Sequence, residues 1–254
     1  MQTKLLRLSY VLIVSQMLII SSGDASQPAT VPQTIGADGH VFVANGSGDA
    51  GTLSQNLSEV IRKSNVGFSL ETFSWSRGKG RVLTDHLDMD NHKSQGKRLA
   101  AAVQAYQEVR ADSKVFLIGH STGCAVVLIA AEHLPPVSVE KIILLAPSVP
   151  DTYDLRPSLH TARMGIDTYH SRNDQILGLG IKLIGTTDLE SSDAAGLRGF
   201  RLVYSHPNDQ VLYQKLRQHH WDRVVEWSGH DGNHLGSVSV GYLRAYVLPE
   251  MMKQ

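Results

Sequence analysis

Residues 114–128 read Lys-Val-Phe-Leu-Ile-Gly119-His-Ser121-Thr-Gly123-Cys-Ala-Val-Val-Leu. Val115 to Ile118 is a short, unbroken apolar run with the β-branched and aromatic content of a buried strand. The run Cys124 to Leu134 that follows is rich in Ala, Val and Leu and reads as a helix. Only Gly119 to Gly123 join the two. So tight a strand-to-helix turn forces its central serine into a strained conformation, and flanking glycines remove side chains that would collide. As a bare pattern Gly-x-Ser-x-Gly is weak; its place between strand and helix gives it meaning. The Ser121 hydroxyl then stands above the C-terminal edge of a sheet, where ligands bind in open α/β folds. The helix behind it points its N-terminus at the same spot and favours developing negative charge.

Outward from this unit the alternation repeats. Val41 to Ala44 is a short apolar strand stopped by Asn45-Gly-Ser-Gly48, and Phe68 to Trp75 reads as another strand. Lys141 to Ala146 is a further buried strand, Met164 to Tyr169 a weaker one, and Arg223 to Trp227 the expected last one. Between them, residues 52–63 place Leu53, Leu57, Val60 and Ile61 on one helical face. Residues 94–110 do the same with Leu99, Val103 and Tyr106, and residues 237–250 close the chain as a helix. Apolar strands without polar alternation, separated by helices, predict a mostly parallel central sheet with helices on both faces. With no repeat or internal linker, one α/β domain is expected over residues 38–254.

Composition agrees with a globular chain and excludes several classes. At 254 residues and 42% hydrophobic content the chain can bury a sizeable core. Its 24 Lys and Arg balance 24 Asp and Glu, so no global field draws it to nucleic acid or acidic lipid. The single cysteine, Cys124, forms no internal disulfide and reads as a buried small residue.

The first residues stand apart. Lys4 and Arg7, an apolar run from Leu8 to Ile20, then Ser-Ser-Gly-Asp-Ala25 have the three-part layout of a secretory signal peptide over residues 1–25. The run is short of the roughly 20 residues that span a bilayer, so secretion or a periplasmic location is expected, with an uncleaved membrane anchor as the alternative. No stable membrane span is expected once the signal is removed. Residues 26–37 read as a flexible lead-in.

A serine nucleophile needs a base, and a carboxylate to orient that base. On this kind of sheet the chain order is Ser, acid, His. Asp174, in the Ser171-Arg-Asn-Asp174 turn after the weak strand, is the best acid candidate. Asp167 lies within the strand and reads as structural, while Asp151 and Asp154 come early. His230 and His234 compete for the base in Gly229-His-Asp-Gly-Asn-His234. Zinc held as His-Asp-x-x-His is disfavoured, because Gly229, Gly232 and Asn233 break the helix that would align the pair. No metal or cofactor is expected. Oxyanion donors are expected at the Thr122 N–H, following the nucleophile, and at the Ser47 N–H in the first loop, with Gly46 next. Arg77, Lys79 and Arg81 form a small basic loop that reads as a solvated turn.

Gly119 to Gly123 on its strand, Asp174 on a later loop and the terminal histidines together resemble the α/β-hydrolase superfamily. The C-terminal Asn233-His-Leu-Gly with Tyr242-Leu-Arg-Ala-Tyr-Val-Leu-Pro249 is similar to small exported bacterial hydrolases of undefined substrate. The resemblance implies an eight-strand-type sheet and Ser-Asp-His acyl chemistry, and it favours His234 as the base. It departs in two ways: the first two strands of the family are not evident before Val41, and no long insertion precedes Asp174 to build a large lid. The expected activity is hydrolysis of a small-molecule or lipid carboxylic ester through an acyl-enzyme. An amidase, peptidase or acyltransferase on the same residues, or a binding protein without catalysis, are the alternatives.

Overall fold

Residues 38–48, 51–78, 81–178 and 193–253 are described by a computed structural model. The predicted signal peptide, the lead-in and Lys79 lie outside them. Six strands form one sheet: β1 Gly39–Ala44, β2 Phe68–Thr72, β3 Val115–His120, β4 Lys141–Leu145, β5 Ile166–His170 and β6 Leu216–His220. Their order is β2-β1-β3-β4-β5-β6, and every neighbouring pair is parallel. Among the described residues the sheet therefore has six strands where the resemblance implied eight, and none of the six precedes Gly39.

Both faces of the sheet are buried, which is why its central strands read as continuous apolar runs. Along β1, Phe42 and Ala44 face one cluster with Leu117, Leu99 and Val103, while Val41 and Val43 face another with Phe116, Leu53 and Leu57. The first cluster is covered by α3 (Met89–Val109) and α4 (Gly123–Glu132); the second is covered by α1 (Thr52–Ser64) and the C-terminal helices. A Cβ at Gly96 would lie 2.4 Å from Ile129 Cγ2, so this glycine lets α3 and α4 approach closely.

Three sequence expectations need correction. Arg223–Ser228 is a 3₁₀ helix capped by Asp222, and the last strand is β6. Val224 and Trp227, three residues apart on that short helix, both face solvent, whereas a strand would have buried one side. β6 itself, Leu-Arg-Gln-His-His, is polar because it is an edge strand whose Arg217 and His219 reach the buried carboxylate of Asp167. Second, the short helix α2 (Val82–Leu87) precedes α3, whose start lies at Met89, five residues before the predicted one. Third, the closing helix is broken into a 3₁₀ turn (Gly236–Val238), a helical turn (Val240–Tyr242), a π-helical stretch (Leu243–Val247) and a last helix (Leu248–Met252). Pro249 has no N–H to continue the ordinary ladder, and the Leu248 N–H bonds back to Leu243.

Candidate active site

Ser121 follows the last residue of β3 and has φ +55°, the left-handed region that a serine rarely enters. Such strain costs about 1–3 kcal/mol and persists only where its surroundings enforce it. Here the Ser121 N–H is held by the Leu145 carbonyl at 2.9 Å, and the Ser121 carbonyl accepts from Cys124 at 3.1 Å. Glycine on either side is a steric requirement. A Cβ at Gly119 would lie 2.8 Å from Cys124 Cα, and one at Gly123 would lie 2.3 Å from the Ala44 carbonyl oxygen. The turn thus wedges α4 against β1 and leaves the Ser121 side chain half-buried at the sheet edge.

Asp174 lies in the loop after β5. Its Oδ1 accepts from the Leu177 N–H at 2.9 Å, and its Oδ2 meets His234 Nδ1 at 2.6 Å. Both side chains are almost fully shielded, 1% and 7% exposed. A short charge-assisted contact of this kind fixes the ring orientation and leaves Nε2 as the free nitrogen. The His234 carbonyl accepts from His120 Nε2 at 3.2 Å, and the two rings lie 4.9 Å apart. Burial, reinforced by the neighbouring His234, pushes the His120 imidazole down to about 3. His120 is therefore neutral.

His230 has other partners. Its Nδ1 accepts from the Gly232 N–H at 3.2 Å, its ring stands edge-on to Tyr242, and its carbonyl accepts from Trp221 Nε1 at 2.8 Å. Burial pushes its imidazole down to about 4. It buttresses the loop that carries His234, and the two histidines turn their Nδ1 atoms to different groups.

The first loop closes over Ser121. A Cβ at Gly46 would lie 3.4 Å from Ser121 Cβ. Asn45 ties this loop to α1, with Oδ1 accepting from the Ser54 N–H and Nδ2 donating to Ser54 Oγ, both at 3.0 Å. Its carbonyl accepts from Trp75 Nε1 at 2.7 Å. Ser47 Oγ donates to Thr122 Oγ1 at 2.9 Å, which brings the two predicted donor residues together. Among the described residues, neither the Ser47 nor the Thr122 N–H has a hydrogen-bond acceptor.

Asp85, on α2, is a residue that sequence reading missed. It is fully buried; Oδ2 accepts from the Gly48 N–H at 3.0 Å and Ser76 Oγ at 2.5 Å, and Oδ1 from the Arg77 N–H at 3.1 Å. It anchors the far end of the first loop. Nothing in its polar surroundings marked it, since α2 is too short to show a period.

Asp167, His219 and Glu250 are the one group of metal-ligand type among the described residues. Lys141 Nζ fills that position, 3.0 Å from Asp167 Oδ2 and 3.3 Å from Glu250 Oε2. The cluster is thus a buried ion network that joins β4, β5, β6 and the last helix. Asp167 has the structural place that its position in the strand predicted.

Comparison with known proteins fits this geometry. Residues 75–178 match the family model described as serine hydrolase. No curated protein sequence matches the chain. Esterase PE8 superposes with a TM-score of 0.54 at 13% identity, covering 87% of this chain and 97% of that one. An α/β serine hydrolase without lid from Xanthomonas campestris gives 0.50 at 14% identity, covering 89% and 84%. The chain has the α/β-hydrolase fold, and the stretch that matches the serine hydrolase model includes both Ser121 and Asp174.

Proposed function

We propose that the protein is a serine hydrolase that cleaves carboxylic esters with Ser121, His234 and Asp174. The observation that carries this reading is the buried 2.6 Å contact between His234 Nδ1 and Asp174 Oδ2, tied through His120 to the strained serine turn. Asp174 holds His234 with its proton on Nδ1, so Nε2 takes the Ser121 proton as Oγ attacks the carbonyl carbon. The carbonyl oxygen becomes an anion, and the N–H groups of Thr122 and Ser47 donate to it. The tetrahedral species collapses; its carbon–oxygen bond to the alcohol breaks, and His234 returns its proton to the leaving oxygen. Water, giving a proton to His234, then attacks the acyl carbon; the bond to Ser121 Oγ breaks, His234 returns the proton to Oγ, and the acid leaves. Esters are favoured over amides because their leaving groups demand less transition-state help. Esterase PE8 is an esterase by name on this fold.

On the same reading the substrate is a small-molecule or lipid ester, met after export with residues 1–25 removed. Among the described residues no helix is long and apolar enough to cross a membrane.

The test is hydrolysis of p-nitrophenyl esters of graded acyl length by residues 26–254. Activity lost in Ser121→Ala and His234→Ala but retained in His230→Ala supports the reading. No hydrolysis of any ester by the folded wild type overturns it.

A further inference from the structure

The Thr122 side chain has a part in the site that its backbone role does not explain. Its hydroxyl oxygen, on a residue 1% exposed, meets three groups from three different loops or helices. Ser47 Oγ, from the loop after β1, donates to it at 2.9 Å. Ser148 Oγ, from the loop after β4, donates to it at 3.3 Å. His86 Nδ1, on α2, lies 3.3 Å away. A hydroxyl has two lone pairs and one proton. With both lone pairs taken by Ser47 and Ser148, its own proton has His86 Nδ1 as acceptor.

We propose that this hydroxyl is a clamp that sets the spacing of the two oxyanion donors, with Ser47 and His86 as positioning residues. The proposal rests on the hydrolase reading above. Catalytic donors act only if held where the negative charge develops. Thr122 N–H is fixed by the nucleophile turn, but Ser47 N–H belongs to a loop rich in glycine. Asn45 anchors one end of that loop and Asp85 the other. The side-chain tie at its centre is the bond from Ser47 Oγ to Thr122 Oγ1. His86 completes the arrangement by accepting the Thr122 proton, so that Oγ1 stays turned toward Ser47.

Thr122→Val keeps the backbone N–H and the side-chain shape while deleting the hydroxyl. Its kcat on p-nitrophenyl acetate should fall about 10-fold with KM within about twofold, because the lost interaction serves the transition state. Thr122→Ser should restore kcat to within about twofold of wild type. Ser47→Ala should lose about as much as Thr122→Val, and the double variant should be no worse than the worse single, because both remove the same bond. His86→Phe should fall in the same direction. Hydrogen exchange gives a readout independent of turnover: amides of Gly46 to Gly48 should exchange several-fold faster in Thr122→Val, with β4 unchanged. Unchanged exchange in that loop, unchanged kcat in Ser47→Ala, or losses that multiply in the double variant would each overturn the clamp. A wild type that hydrolyses no ester overturns the hydrolase reading, and the exchange comparison still decides the clamp. If Thr122→Val does not fold, Ser47→Ala, whose side chain is half-exposed, carries both measurements.

Discussion

His120 Nε2 donates to the backbone carbonyl of His234 at 3.2 Å, joining the residue before Ser121, the proposed nucleophile, to the residue proposed as its base. The two lie 114 positions apart in the chain. The bond needs a proton on Nε2; burial, which holds that imidazole near 3, leaves His120 neutral with its one ring proton on that nitrogen.

His120→Phe keeps an aromatic ring and deletes this bond. It should lower kcat about 10-fold while leaving KM within about twofold, since it disturbs the placement of His234 and not substrate binding. Steady-state kinetics on one ester is the check.

Asp174→Asn keeps the shape of the acid but removes its charge and favours the wrong His234 tautomer. A fall in kcat of about 10³–10⁴ is expected, in line with the same change in other triads. The variant should stay folded by circular dichroism.

Much of this site was legible beforehand because it is local. Gly119 to Gly123 between Val115–Ile118 and the following helix specifies both the turn and its place at the sheet edge. The order Ser, Asp, His then limits the acid and base to a few loop residues. Sequence could not separate His230 from His234 by spacing alone. Geometry gives them different partners: Asp174 for His234, the Gly232 N–H for His230. The misread last strand has the same kind of cause. β6 is stabilised by a carboxylate on β5, and Arg223–Trp227 has the strand-like residues Val224, Val225 and Trp227 on an exposed turn. Asp85 was invisible because its importance comes entirely from three donors that folding brings to it.

Asp85→Ala leaves those three donors without their acceptor. Only the Gly48 bond is fully buried; with one orphaned buried donor costing about 1–3 kcal/mol, a loss of that size is expected, read from urea unfolding. Activity should fall as well, because Gly48 and the loop before it lose an anchor.

Stability should decline on the acid side for an identifiable reason. Burial holds His120 near 3 and His170 and His230 near 4, below the value of about 6.5 in an unfolded chain. Between those limits the unfolded state binds more protons, so these groups cost no stability above about pH 6.5 and progressively more as pH falls toward 4. His170, whose Nδ1 is buried without a partner among the described residues, lies outside the proposed triad. His170→Phe should flatten the fall in unfolding free energy over that window, by up to about 1.4 kcal/mol per pH unit, read from urea unfolding at several pH values.

The central claim is that Ser121 carries the acyl group, and the most direct measurement is the mass of the trapped intermediate. The wild type, mixed with p-nitrophenyl acetate and quenched in acid within the first turnover, should gain one acetyl group per chain, mapped to the peptide containing Ser121. Ser121→Ala should gain none, His234→Ala should acylate far more slowly, and His230→Ala should acylate near the wild-type rate. An acetyl group found on another residue, or ester hydrolysis that survives in Ser121→Ala, would contradict the account.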